Sequence, residues 1–197
     1  MENMNILTDD LLVVRYSEGD NKAFDELLAR YQSKLFNYIY FIVRSQELAE
    51  DLFQETFVKA ITTIQQGRYT AAGKFGAWLT RIAHNLIIDG YRQERNENTI
   101  SNDETEMDLL NDADLCDDNV EMQMVNEQTL RDVRRLVDAL PDNQREVVYM
   151  RFYQDLSFKE IAEITGVSIN TALGRMRYAL LNMRRIAEEK HIVLEMY

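Results

Sequence analysis

Three clusters of residues in this chain have types and spacings that could do chemistry, and none of them resembles a catalytic centre. Asp51, Gln54 and Glu55, with Glu47, Glu50 and Lys59, recur at three and four residues. They therefore share one side of a helix whose other side is Leu52, Phe53 and Phe57. Carboxylates grouped with an amide suit docking on a basic partner helix, although an ordinary solvated face carries the same pattern. The second cluster runs from Arg68 through Tyr69, Lys74, Phe75, Trp78, Arg81, Asn85, Asp89, Tyr91 and Arg92 to Arg95. Cations interleaved with aromatics are what an unpaired nucleic-acid strand needs, because phosphates meet the cations and a base drawn from its stack meets a ring or a pocket. Phe75 and Trp78 equally fit a buried helix stripe, and Asp89 is placed to pair with Arg92 one turn on. The third cluster is Ser168, Asn170, Thr171, Gly174, Arg175, Arg177 and Tyr178, with Arg184 and Arg185 further along. Asn, Thr, Arg and Tyr near the start of a helix suit base edges and phosphates, and a small Gly174 lets that helix sit deep in a major groove.

Enzyme chemistry finds no comparable support. His84 and His191 are isolated, the single Cys116 sits among acids, and no nucleophile, metal or phosphate-loop pattern occurs. Neither catalysis nor a cofactor nor a metal is expected, and His84, beside an apolar stripe, reads as structural.

The elements that must position these clusters are helices. Only seven Gly and one Pro occur in 197 residues, 46% are hydrophobic, and apolar residues recur at helical spacing with no convincing strict alternation, so the expected class is all-α. Four helices are expected in the first half. Thr8 or Asp9 caps a short one ended by Gly19, and Asp20 or Asn21 opens the next, with Phe24, Leu27, Leu28, Tyr31, Leu35, Tyr38, Ile39 and Ile42 inward. Ser45 caps a third, with Leu48, Leu52, Phe53, Phe57, Ala60, Ile61 and Ile64 inward; Gln65 to Gly76 forms a loop, and a fourth helix starts at about Phe75. In the second half a helix is expected from near Asn119 to Leu140, then one after Pro141 with Val147, Val148, Met150 and Phe152 inward. Ser157 to Glu160 has the form of a capping box, Gly166 supplies a positive-φ turn, and Ser168 caps a last helix with Ala172, Met176, Ala179, Leu180 and Met183 inward. Two helices joined through a small Ala162 and Gly166 make a helix-turn-helix.

The net charge of -12 is unevenly divided. Residues 1–96 carry -2, residues 97–127 carry -11 with no Lys or Arg, and residues 128–197 carry +1. Two near-neutral halves thus flank an acidic connector, and segregated charges still allow each half a basic face. The expected organisation is a helical domain at 1–96, a flexible acidic linker at 97–118 and a helix-turn-helix domain at 119–197. The N-terminus is acidic and no apolar run approaches the ~18 residues needed to span a bilayer, so neither signal peptide nor membrane insertion is expected and the protein is placed in the cytoplasm.

Residues Ala139 to Arg185 resemble the fourth conserved region of bacterial extracytoplasmic-function (ECF) sigma factors. Independently, DELLARYQSKLFNYIY, AEDLFQETFVKA and FGAWLTRIAHNLIIDGYR resemble the second conserved region. The resemblance implies an alternative sigma factor that binds core RNA polymerase and promoter DNA, with an anti-sigma factor as a further partner. It assigns core-polymerase binding to Asp51, Gln54 and Glu55, and minus-ten DNA to the loop and fourth helix, here Arg68, Lys74, Trp78, Arg81, Asn85, Asp89 and Arg92. Minus-thirty-five DNA falls to Ser168, Asn170, Thr171, Gly174, Arg175, Arg177 and Tyr178. One departure stands out: the family often places Lys or Arg and then Ser where this chain has Leu173-Gly174. Leu173 could extend the core or touch a thymine methyl. The rival reading is a stand-alone helix-turn-helix transcription regulator, which would bind its operator without polymerase.

Overall fold

A computed structural model describes residues 4–70, 73–97 and 131–192, and every regular element among them is helical. Side-chain caps fix where the helices begin. The Thr8 hydroxyl accepts from the Leu11 N–H and opens α1 (Asp9–Ser17), which a 3-10 turn at Met4–Ile6 precedes. The Asp20 carboxylate accepts from the Lys22 N–H and opens α2 (Asn21–Val43), and Ser45 does the same for α3 (Gln46–Gln65). Each cap satisfies a donor that a helix N-terminus leaves without an intrahelical partner. The loop that follows holds Gly67 and Gly73, both at positive φ, and α4 runs Phe75–Glu97. In the second half α5 is described over 131–138. Pro141, which cannot donate to a preceding turn, separates it from α6 (Asp142–Phe152). Ser157 and Glu160 form the reciprocal capping box of α7 (Phe158–Thr165), and Gly166, at φ 67°, turns the chain into α8 (Ile169–Glu189), which Ser168 caps. The stretch 98–118 and the start of the helix expected near Asn119 lie outside the described residues.

Both halves contribute to one continuous apolar core. Leu12, Leu27, Leu35, Ile39, Ile64 and Leu79 are at most 2% exposed among α1 to α4, and Val147, Met150, Ile161, Ala172 and Ala179 are fully buried among α6 to α8. The halves also pack on each other, α2 against α6 and α4 against α7. Tyr149 of α6 stacks on Phe41 of α2, with ring centroids 4.4 Å apart, and is 7% exposed.

Three residues expected to face inward do not. Phe152 is 63% exposed, because α6 turns Tyr149 rather than Phe152 toward α2. Leu180 is 52% exposed, since the α8 stripe runs through Ala172, Met176 and Ala179 to Ile186, and Leu48 is 43% exposed, since Ala49 and Leu52 occupy the inner side of the first turns of α3.

Candidate nucleic-acid interface

One face of α4 is a charged strip. Arg81, Asn85, Asp89 and Arg92 follow one another at three and four residues and all are exposed. Leu79, Ala83, Leu86 and Ile87 are buried on the opposite side, which fixes the strip outward. Asp89 pairs with Arg92, with Oδ1 and Nη1 3.4 Å apart, and both side chains are about seven-tenths exposed, a pair of little energetic weight. Trp78 begins the same face but packs edge-on against Tyr69 at 4.6 Å and leans on Phe75 at 5.6 Å. Phe75 is buried, so of the two aromatics weighed for base contact only Trp78 keeps partial access. Arg68 is exposed in the loop. Burial, then the nearby Asp10 and Asp9 carboxylates, push the Tyr69 hydroxyl up to about 12, so this ring is neutral beside the strip.

Lys74 stands apart. Its ammonium is 3.5 Å from Oε1 of Glu160, on α7 of the other half. Burial pushes the Glu160 carboxyl up, but bonds from the Ser157 hydroxyl and N–H, with Lys74 nearby, outweigh it and hold the carboxyl below its ordinary value.

The helix-turn-helix presents α8 outward along much of its length. Ser168, Asn170, Thr171, Arg177 and Tyr178 are exposed, Gly174 and Arg175 half-buried, and nothing lies within 4 Å of where a Cβ on Gly174 would stand. Ser168 and Thr171 are partly engaged with each other, since the Thr171 N–H donates to the Ser168 hydroxyl at 3.0 Å and the two hydroxyls are 2.8 Å apart. Arg175, Arg177, Arg184 and Arg185 give α8 four cations, and no carboxylate occurs on it before Glu188.

On α3 the structure brings Asp51, Gln54 and Glu55 together on one exposed side, opposite Leu52, Thr56 and Phe57. Val58, 59% exposed, continues that side one turn on. A lone valine among polar residues carries no periodic signal in the sequence.

Polar contacts accompany the Tyr149–Phe41 stack and the shared apolar core between the halves. Tyr38, fully buried, donates to Oε1 of Glu146 at 3.0 Å, and Nδ1 of His84 lies 2.9 Å from the same oxygen. His84 is thus structural. The Thr80 hydroxyl and Oε1 of Gln154 are 2.7 Å apart, and Lys34 and Arg44 bridge to Asp155 and Asp138 at 3.2 and 3.0 Å. Arg145 lies over the Phe41 ring, and its buried Nε has no hydrogen-bond partner. Among the described residues no group of three His, Cys, Asp or Glu could hold a metal ion, and no helix is long and apolar enough to cross a membrane.

Comparison with known proteins gives the family and the fold. Residues 27–97 match the Sigma-70 region 2 family and residues 130–180 the Sigma-70, region 4 family. The chain is 36% identical over 156 residues to the ECF RNA polymerase sigma factor BldN of Streptomyces coelicolor, covering 79% of this chain and 56% of that protein. It is 32% identical over 192 residues to the ECF RNA polymerase sigma-E factor of Haemophilus influenzae, covering 93% and 95%. In fold it resembles CnrH, solved in complex with the cytosolic domain of CnrY, at a TM-score of 0.62 and 22% identity over 93% of this chain and 99% of that one. It also resembles the Bartonella quintana sigma factor RpoE, solved with the anti-sigma factor NepR, at 0.61 and 21% over 85% and 98%. With a helix-turn-helix following a region 2 half, and a relative matched over nearly its whole length, this chain belongs to the ECF RNA polymerase sigma factors.

Proposed function

We propose that this sigma factor, which is not an enzyme, divides promoter reading between its halves. The exposed α4 strip and the loop before it take the melted minus-ten strand through Arg68, Lys74, Trp78, Arg81, Asn85 and Arg92. The start of α8 takes the minus-thirty-five duplex, while Asp51, Gln54 and Glu55 on α3 seat the protein on core RNA polymerase. Residues 1–96 and 119–197 act as the two units, 97–118 is the tether between them, and the work is done in the cytoplasm. The observation that carries the reading is the separation of two outward cationic faces onto different halves, on α4 and on α8, each with buried apolar residues behind it.

The packed arrangement is the resting one. A folded body of roughly 160 residues has a radius of gyration of about 15 Å, hence a breadth of about 40 Å. Promoter elements two DNA turns apart lie about 70 Å from each other, so both cannot be read while the halves touch. A tether of about 22 residues averages roughly 26 Å and extends to about 75 Å, which still gives the reach once they part. The interface suits opening: it is rich in polar contacts, leaves Arg145 Nε without a partner and occupies Lys74 with Glu160. An anti-sigma partner would act by holding the closed form.

The test is in-vitro transcription with purified core polymerase on a pool of promoters, read by sequencing start sites. Enrichment of start sites that depends on this chain is expected, and its absence would reject the reading.

A further inference from the structure

Two large aliphatic side chains stand uncovered at the start of α8. Ile169 is 46% exposed and Leu173, one turn on, 44%. Residues four apart on a helix lie side by side, so the pair makes one apolar ridge. Ala172 and Met176 hold the buried side of the same turns, so Leu173 does not extend the core. Exposed Asn170 and Arg177 flank the ridge, and Gly174 beside it leaves the backbone open to close approach.

The surroundings say what covers the ridge. Arg185 pairs with Glu189 at 2.8 Å, and the remaining arginines of α8, with no carboxylate on it before Glu188, select a polyanion over an ordinary protein surface. The outward apolar feature of a major groove is the C5-methyl of thymine. Burying an aliphatic side chain against that methyl removes area that the fold itself leaves in water. Thr171 is the weaker candidate for a base edge, because its hydroxyl and N–H both meet Ser168 in the cap. The reading face is therefore turned toward Leu173 relative to the face expected from sequence.

We infer that Ile169 and Leu173 read thymine methyl groups in the upstream promoter element, Leu173 setting the base preference at one position. This rests on the assignment of α8 to that element. It also explains the departure from the family's Lys or Arg: a cationic side chain there would meet guanine acceptors, whereas a leucine selects a methyl.

The experiment uses the full chain with core polymerase and a promoter library randomised upstream, with transcripts counted by sequencing. The native protein is expected to enrich thymine at one or two upstream positions. Replacing each enriched thymine by deoxyuridine, which removes the methyl alone, is expected to lower initiation about fourfold per methyl, the worth of one buried carbon. Leu173→Ala, an exposed site that leaves the core untouched, is expected to abolish the response at one position, Ile169→Ala at the neighbouring one. Leu173→Lys is expected to move the enriched base from thymine to guanine. Upstream enrichment with no deoxyuridine response at any position would overturn the inference while leaving promoter reading intact, as would thymine enrichment unchanged in both Leu173 variants. No upstream enrichment at all would overturn the α8 assignment and the inference with it.

Discussion

His84 on α4 and Glu146 on α6 meet across the boundary between the two halves, Nδ1 to Oε1 at 2.9 Å, and Tyr38 donates to the same oxygen at 3.0 Å. With the proton on Nδ1, both ring and hydroxyl donate to one carboxylate oxygen. All three groups are withdrawn from water, so removing the common acceptor leaves two donors to share only the 3.3 Å contact between them. An unsatisfied buried polar group costs about 1–3 kcal/mol. Glu146→Ala is expected to weaken the closed form by about that much. Small-angle scattering of the free protein would show a larger radius of gyration, with helix content unchanged. A scattering curve identical to that of the native protein would show that the node does not hold the halves together.

Alkali is expected to open the same interface by another group. Burial, then the neighbouring Tyr153, push the Tyr149 hydroxyl up to about 12 from its ordinary 10.0, and Tyr149 lies stacked on Phe41 of the other half. Its folded pKa is raised, so the neutral form is favoured in the packed state. The stabilisation is fully present below pH 10 and is lost as pH rises from there through about 12. Scattering followed along an alkaline titration is expected to show expansion in that window. Tyr149→Phe keeps the stack and removes the titrating group, so its expansion is expected to be shallower and to begin at higher pH. A variant that opens along the native curve would assign the transition elsewhere, with Tyr38 the next group to replace.

Tyr31 gives a prediction confined to the first half. A Cβ placed on Gly76, at the start of α4, would stand 2.7 Å from Cε1 of Tyr31, whose hydroxyl is bonded to Asp9 of α1. Gly76 is helical, so its value here is room rather than backbone freedom. Gly76→Ala is expected to push the ring off Asp9 and destabilise the protein by about 1–3 kcal/mol, the usual cost of overpacking, despite the better helix propensity of alanine. Thermal unfolding would record it as a lower midpoint. Tyr31→Phe in the same background, freeing the ring from its hydrogen bond, is expected to recover part of the loss. A midpoint at or above the native one would mean that the ring moves aside at no cost.

Local signals were the legible part of this fold. Ser45, Ser157 and Ser168 mark three helix starts in the sequence, two further starts are legible to within one residue, at Thr8 or Asp9 and at Asp20 or Asn21, and the structure caps them with Thr8 and Asp20. The exposed α4 strip and the start of α8 were legible for the same reason, because residues three and four apart must share a face. Contacts between the halves were not legible. Val147, Val148, Tyr149 and Met150 are buried in succession, which no single helix face allows; α6 is covered from two sides, and the second cover comes from α2, more than a hundred residues earlier. The sequence pattern could therefore place Phe152 inward and overlook Tyr149. Leu173 was undecided for a related reason: about 100° from the buried centre of α8, its side is chosen by what the neighbouring helices cover.

The α3 face tests polymerase docking without disturbing the fold. Asp51, Gln54 and Glu55 are exposed, and the Glu55–Lys59 pair at 3.2 Å is half in water, so little stability depends on it. Reversing charge at Asp51 and Glu55 to lysine sets like charges against a basic partner helix, which costs several kcal/mol where the groups are desolvated. The double variant is expected to bind core polymerase at least tenfold more weakly, by competition against the native protein, while its thermal midpoint moves by no more than a degree or two. Val58, uncovered in the middle of this face, separates docking from simple charge attraction. Val58→Ser leaves net charge untouched, so a several-fold loss of affinity that persists at high salt would place an apolar contact at that point. Charge-reversed protein that associates as tightly as native would reduce the face to an ordinary solvated side of α3. Seating on the polymerase would then have to come from another surface, with the exposed apolar residues Leu48, Phe152 and Leu180 the first to examine.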